Sequence, residues 1–419
     1  MRGVIALSGV TFLGQVASAL LAPIYSRLYS PSDYGVVGVY SSYLTTFLTV
    51  GALCYEQGIL IGRDDDEAKE ILFISIIITL IASLLSIALL LFGLLQVGGA
   101  EQNLIGPYLW FLPIGILWGG VFKVIQQWAT RKKAIRVIAE SSVYQNVGAH
   151  AVMMGFGVTS PGPIGLILSG IVSGSAGIRT LIRRTLPLQG FRDMFAWKSH
   201  ARIWSTVKRY RRLPLIQAPS TFLNSIGLFL PGILIVSYYG TGCGGWLNMA
   251  QRFMQIPMSL IGGSISRIFF SEAADMARNN PSALKPFFDH VVLKALKITI
   301  VIALAGLTSP FTFPLVFGEK WREAGMYAVW ISMYCSAGLL VSPVSTIPTL
   351  VGKLQGQLWL DGIRALLVFL AFYVPHILGK GAETAVISYS LVLTVMYLAY
   401  YLLYRHQVSE VSSTGRTHW

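Results

Sequence analysis

Apolar positions in this chain fall in long, nearly unbroken runs. They form neither the one-sided stripes of a soluble helix nor the alternation of a half-buried strand. A helix needs about 20 such residues to cross the hydrocarbon of a bilayer. Runs of that order occupy 3–25, 35–60, 71–95, 106–128, 141–159, 162–181, 215–239, 244–270, 291–315, 325–349, 356–378 and 381–404. The pattern predicts an all-α integral membrane protein with about twelve transmembrane helices. The run at 141–159 is short, and Ser160-Pro161-Gly162-Pro163 turns it tightly into the next, as in a helical hairpin. Pro23, Pro113, Pro231, Pro257 and Pro343 lie in or near runs, where each removes a backbone hydrogen bond and favours a kink. Gly170, Gly174 and Gly177, and the pair Gly262-Gly263, predict close helix packing.

The longest hydrophilic stretch, 182–214, is basic, with Phe191, Met194, Phe195, Trp197, Ile203, Trp204 and Val207 interleaved. It reads as an amphipathic helix lying on the membrane surface. It separates six runs in 1–181 from six in 215–404, followed by a short tail at 405–419. That division suggests two six-helix lobes related as structural repeats, with a site between them at mid-membrane depth.

Composition changes little in this picture. Hydrophobic residues make up 54% of the 419 and charged residues only 12%. A soluble domain carries about 25% charged residues, so an ordinary soluble enzyme is excluded. The net charge of +14 first suggests nucleic acid, but its distribution does not. With both ends on the cytoplasmic side, about 25 of the 32 Lys and Arg lie on that side. Among them are Arg131, Lys132, Lys133, Arg136 and the run from Arg179 to Arg212; Arg27, Lys320, Arg322 and Lys380 lie outside. The charge therefore reports topology and attraction to anionic lipid, and no nucleic-acid partner is expected. Ala17-Ser18-Ala19 resembles a cleavage site. However, the apolar run continues to Ile24, past the roughly 7–15 residues of a leader's core, so the segment reads as a first helix.

Catalytic chemistry is sparse. There is no GxxxxGK[ST] and no HExxH, the six His are scattered, and Cys54, Cys243 and Cys335 sit apart in apolar runs. No metal and no cofactor are expected. Asp64-Asp65-Asp66 could hold a divalent ion on a nucleotide sugar, but it lies in a short loop just before an apolar helix, where acidic residues also favour the helix N-terminus. The informative groups are ionisable residues inside spans, which are costly there and face a cavity or a partner. They are Glu56, Lys123, Arg252, Asp361 and Arg364, with Arg27 at the outer end of the first helix. Asp361 and Arg364 can pair at i,i+3. Lys123 can snorkel to the interface. Glu56 can neutralise Arg27 or Arg252, or carry a coupling proton. The surplus of cations suits an anionic substrate.

Pro23-Ile24-Tyr25-Ser26-Arg27-Leu28-Tyr29-Ser30-Pro31-Ser32-Asp33-Tyr34-Gly35 resembles the signature near the start of Wzx-type polysaccharide flippases. Tyr55-Glu56-Gln57-Gly58-Ile59 and the acidic loop 64–70 look like the same family, with Gln57-Gly58 departing from its commoner Leu-Ala. Residues 250–262, 317–325 and Ser342-Pro343 are similar to its later helices. Members often carry a dozen or so residues before the first helix, so the chain looks short at its start.

The resemblance implies the multidrug/oligosaccharidyl-lipid/polysaccharide exporter (MOP, MATE-like) architecture: two six-helix lobes forming a V around a cationic cavity. The implied task is to move an undecaprenyl-diphosphate-linked oligosaccharide repeat unit from the inner to the outer leaflet of a bacterial plasma membrane. That would feed O-antigen, capsule or exopolysaccharide assembly. The implied mechanism is alternating access coupled to H+ or Na+, beside a polymerase and chain-length machinery. Arg27, Arg252, Arg364 and Lys123 are the candidates for the diphosphate. Glu56 and Asp361 are the candidates for ion coupling or charge pairing. Gln15, Tyr25, Tyr29, Asn224 and Gln251 are the candidates for sugar hydroxyls. No bond is broken, so the expectation is a transporter and not an enzyme. Alternatives are a lipid II or drug exporter on the same fold, or a membrane-embedded polymerase, which would need a large outer loop that the sequence lacks.

Overall fold

A computed structural model describes residues 2–95, 98, 101–186, 200–258 and 262–414. The apolar positions predicted at Phe191, Met194, Phe195 and Trp197 fall outside these residues. The described chain is helical and holds no strand. Contacts divide it into two compact units, Met1–Phe229 and Leu230–Trp419.

The first unit opens with α1 (Arg2–Leu28) and α2 (Pro31–Val50). Ser30 caps α2 through a reciprocal pair: its hydroxyl accepts from the Asp33 backbone N–H, and its own N–H donates to the Asp33 carboxylate at 2.7 Å. Pro31 occupies the first helical position, where no N–H is needed. The Ser30-Pro31-Ser32-Asp33 part of the motif is therefore helix punctuation. The run expected as one span at 35–60 is broken. Leu53 and Cys54 adopt left-handed φ of 49° and 61°, and α3 (Tyr55–Ile61) leaves at 44° to α2. Then come α4 (Asp65–Leu91), α5 (Gln102–Leu109) and α6 (Leu112–Arg131), the last two also bent by 44°. Here Pro113 stands in the first turn of α6, at the predicted kink.

The hairpin of α7 (Ile135–Thr159) and α8 (Pro163–Ser175) follows, then α9 (Ile178–Thr185), α10 (His200–Arg209) and α11 (Ala218–Tyr239), within which the unit boundary falls. Ile203 and Val207 of α10 pack on the core around Ile59, Ile71, Leu72 and Trp128, while Trp204 is exposed.

Close packing holds at two of the three glycines near 170–177. A Cβ on Gly174 would meet the Gly119 Cα at 3.7 Å, but Gly170 faces open space. Gly177 has φ +88° and starts α9, and a Cβ there would lie 2.6 Å from the Ser141 Cβ. Gly177→Ala is expected to cost about 1–3 kcal/mol from left-handed strain and crowding together, against a near-neutral Gly170→Ala. Thermal unfolding of both in detergent checks this; equal melting temperatures would refute it.

The second unit contains α12 (Thr241–Pro257), α13 (Gly263–Asn279), α14 (Leu284–Phe317), α15 (Arg322–Val341), α16 (Ile347–Val351), α17 (Gln355–Ile377) and α18 (Ala382–Thr414). Phe269, Phe288, Val344, Ile347, Val351 and Val408 form its core. The motif at 317–325 is a corner. Gly318 has φ +101°, a single helical turn spans Glu319–Trp321, and the Trp321 side chain is fully buried.

Among the described residues, seven helices are long and apolar enough to cross a membrane, or nine if each bent pair is one span. The fold is thus all-helical and multi-pass, but the count of twelve is not reached by length and apolarity. Several expected spans are divided at breaks. In the run at 244–270, residues 259–261 lie outside the described residues, and α7 carries Glu140, Gln145, Asn146 and His150.

Candidate functional site

The break between α2 and α3 builds a charged centre inside the first unit. Ending α2 leaves its last carbonyls without helical donors, and starting α3 leaves N–H groups exposed. A cation suits the first end and an anion the second. Lys123 of α6 donates to the Leu48 carbonyl at 3.1 Å, and its Nζ lies 2.8 Å from the Glu56 carboxylate in the first turn of α3. The partner of Glu56 is therefore Lys123, and neither of the arginines considered from sequence. Glu56 is 1% exposed and its Oε2 accepts no hydrogen bond, whereas the Lys123 side chain is 37% exposed. One end of the pair is dry and the other reaches solvent-accessible space. Nearby, Gln217 donates to Gln57 at 2.5 Å, and the Cys54 thiol lies 4.0 Å from the Thr221 hydroxyl.

A second polar seam joins α1 to α7. Gln15, Ser18 and Tyr25 share one face of α1, and Tyr29 follows just past its end. The Tyr25 hydroxyl is 3.0 Å from His150 Nδ1, the Ser18 hydroxyl 3.1 Å from His150 Nε2, and the Tyr25 and His150 rings stack. Tyr29 donates to the Met153 carbonyl at 2.6 Å. Tyr25 and Tyr29 are buried, so in this conformation their hydroxyls clamp α1 to α7 and are not presented to a sugar. Gln15 is half-buried, and its Oε1 has no hydrogen-bond partner. Arg27 is exposed at the end of α1, and Asn224 is half-buried on α11. Sequence reading missed His150. Its signal was the group of Gln15, Ser18 and Tyr25 on one face of α1, which calls for a polar counterpart.

In the second unit, Arg364 and Asp361 are both buried and pair at 3.3 Å. Tyr400 donates to the same Asp361 oxygen at 2.5 Å, and its ring centre lies 5.8 Å from the Arg364 guanidinium carbon. This is an enclosed charge pair that ties α17 to α18. Gln251 donates to the Tyr389 hydroxyl at 3.1 Å, and Gln255, one turn on, to Tyr334 at 3.3 Å. Arg252 points away from that row. It is exposed and has no ion-pair or hydrogen-bond partner among the described residues. Within the first unit, then, the structure joins Glu56 to Lys123, and within the second Asp361 to Arg364.

The acidic loop is occupied by protein groups. Asp64 caps α4 by accepting from Glu67 N–H at 2.7 Å, Asp65 pairs with Arg131 and Lys132, and Asp66 with Lys69. Glu67 pairs with Arg209, and Glu70 accepts from Thr206 at 2.9 Å. These contacts fasten α10 to the end of α4. Burial, and then the Glu67 carboxylate, push the Tyr210 phenol above its ordinary range.

A family model described as "Polysaccharide biosynthesis protein" matches residues 24–325. The chain belongs to that polysaccharide biosynthesis family. The matched region contains both the α2–α3 break and Arg252. Solved structures share its fold. A multidrug-resistance MATE-family transporter of the MOP superfamily, in an inward-facing conformation, superposes with a TM-score of 0.71 at 16% identity, over 99% of this chain and 100% of that one. The lipid II flippase MurJ, in an inward closed conformation, gives 0.72 at 14%, over 98% and 90%. A MOP-superfamily transporter from Pyrococcus furiosus with a binding pocket of reversed polarity gives 0.56 at 16%, over 99% and 96%. At these identities the likeness is one of fold. A search of curated proteins finds no match. The family member described here therefore has the MOP transporter fold, as the resemblance from sequence leads one to expect.

Proposed function

We propose that this protein is a flippase for undecaprenyl-diphosphate-linked oligosaccharide. It moves repeat units from the inner to the outer leaflet of a bacterial plasma membrane for O-antigen, capsule or exopolysaccharide assembly. The observation that carries this reading is Arg252: an exposed guanidinium with no ion-pair or hydrogen-bond partner among the described residues, the one charged side chain of α12, beside the polar row of Gln251 and Gln255. A charge in that setting persists when it faces water or an anion, not hydrocarbon, and guanidinium grips phosphate oxygens with two parallel hydrogen bonds. Family membership supplies the polysaccharide context.

Transport by alternating access involves the two lobes, 1–181 and 215–404, joined by the basic connection 182–214, with both termini and the tail 405–419 in the cytoplasm. Arg27 and Arg252 are the exposed arginines that would meet the diphosphate; Arg364, enclosed with Asp361, supports its helix pair instead. Gln15, whose buried Oε1 has no hydrogen-bond partner among the described residues, is the first candidate for sugar hydroxyls, followed by Asn224 and Gln251. Glu56 would carry the coupling step, because protonating its buried carboxylate releases Lys123. H+ is favoured over Na+, since the lysine already fills the cation's place. The polymerase and chain-length machinery of the pathway would receive the product.

The test is movement of a fluorescent undecaprenyl-diphosphate oligosaccharide in proteoliposomes, with proton or sodium gradients imposed separately. Inward-to-outward transfer driven by the proton gradient is expected. A protein that is inert toward every repeat unit but accumulates a cationic dye would belong to the drug-exporter reading.

A further inference from the structure

The first unit carries a groove of about 630 Å³ between α6, α8 and α9, away from the Glu56–Lys123 pair. Its walls are Ile114 and Trp118 of α6, Ile171 of α8, and Ile178 and Ile182 of α9. Its remaining lining includes Arg179 and Arg183, one helical turn apart on α9. Both arginines are exposed, and neither has an ion pair or hydrogen bond among the described residues. The carboxylate that could have neutralised them, Glu140, is engaged by Arg184 at 2.6 Å and Arg136 at 3.7 Å. The groove thus has an apolar length and a cationic end. It also lies at the α8–α9 break, where Gly177 holds its left-handed turn.

The geometry points to a bound anionic glycerophospholipid: a phosphodiester headgroup on Arg179 and Arg183, with one acyl chain laid along the isoleucines and Trp118. Two free guanidinium groups match a single phosphate, which each can grip with parallel hydrogen bonds. Isoleucine walls match a saturated chain by apolar burial. The lipid-linked substrate fits less well, because its polyprenyl chain is far larger than the groove. This site is independent of the transport reading. Its occupant would pin α9 to α6 and α8 across the break, so leaflet composition would act on the first unit directly.

Native mass spectrometry of the full chain in detergent, titrated with phosphatidylglycerol, tests this. Removing both charges in R179Q/R183Q is expected to weaken phosphatidylglycerol retention about 30-fold, from roughly 5-fold per basic residue. Phosphatidylethanolamine retention should stay unchanged. Ile171→Trp, which fills the apolar length and keeps the arginines, should also lower phosphatidylglycerol retention. Arg136→Gln, a basic residue outside the groove, should not. Undiminished retention in R179Q/R183Q overturns the site, as does an equal loss in Arg136→Gln, which would mean diffuse surface charge. Displacement of phosphatidylglycerol by equimolar undecaprenyl diphosphate would overturn the phospholipid assignment and give the groove to the substrate.

Discussion

Replacing Lys123 with methionine is expected to destabilise the protein by about 3–5 kcal/mol, whereas Glu56→Gln should cost less than about 1 kcal/mol. The asymmetry follows from burial. Removing the lysine strands the Glu56 carboxylate, which is 1% exposed, and also removes the donor to the Leu48 carbonyl. Removing the carboxylate leaves a lysine whose side chain is 37% exposed and can be hydrated. The double variant should recover most of the loss, because no charge is then left buried. Chemical denaturation in detergent measures all three. Equal costs for the two single variants would refute the asymmetry that burial of Glu56 sets up in this pair. The proton-coupling role makes a separate prediction: Glu56→Gln should fold normally and lose its response to an imposed pH gradient. A variant that still follows the gradient would place the coupling elsewhere.

Arg252→Ala should leave stability within about 0.5 kcal/mol, as expected for an exposed side chain with no partner among the described residues. It should nonetheless reduce transport of the lipid-linked oligosaccharide about 10–100-fold, the loss of one or two charge-assisted hydrogen bonds to phosphate. Arg252→Lys should fall between, since it restores the charge but not the planar fork. Proteoliposome assays at matched protein density supply the comparison. Wild-type rates in Arg252→Ala would remove this residue from the diphosphate site while leaving family membership untouched. A large drop in melting temperature would instead make it a structural residue.

The membrane class and the bend at Pro113 were legible because each has a local cause. Twenty apolar residues must hide their backbone in a helix, and Pro113 stands where α6 starts, whereas Pro23 and Pro231 lie inside helices that run on through them. The break at 51–54 was not legible. It contains no proline, and its left-handed positions are Leu53 and Cys54, which prefer other conformations. Packing of the adjoining α3 on α4 and α6, the Lys123 bridge and the Cys54–Thr221 contact hold them there. The same distinction divides the site. Composition alone singles out Glu56, Lys123, Asp361 and Arg364 as charges out of place. The i,i+3 partnership of the last two follows from helix geometry. The partnership of Glu56 with Lys123 does not, because it depends on how three helices meet. His150 and the burial of Tyr25 and Tyr29 were hidden for a related reason: a tyrosine reads alike whether its hydroxyl faces a ligand or a neighbouring carbonyl.

The reciprocal Ser30–Asp33 cap has a consequence for how such chains are recognised. The short string that most readily draws attention to this sequence encodes the place where one helix stops and the next begins. A search keyed on that string sorts proteins by how their chain turns a corner. Two transporters with unrelated sugars can share it letter for letter, and a serviceable alternative cap, such as threonine at position 30, would conceal a true counterpart. If the proposed flippase reading holds, cargo is better compared at Arg252, Gln251 and Asn224, where no rule of helix initiation dictates the residue.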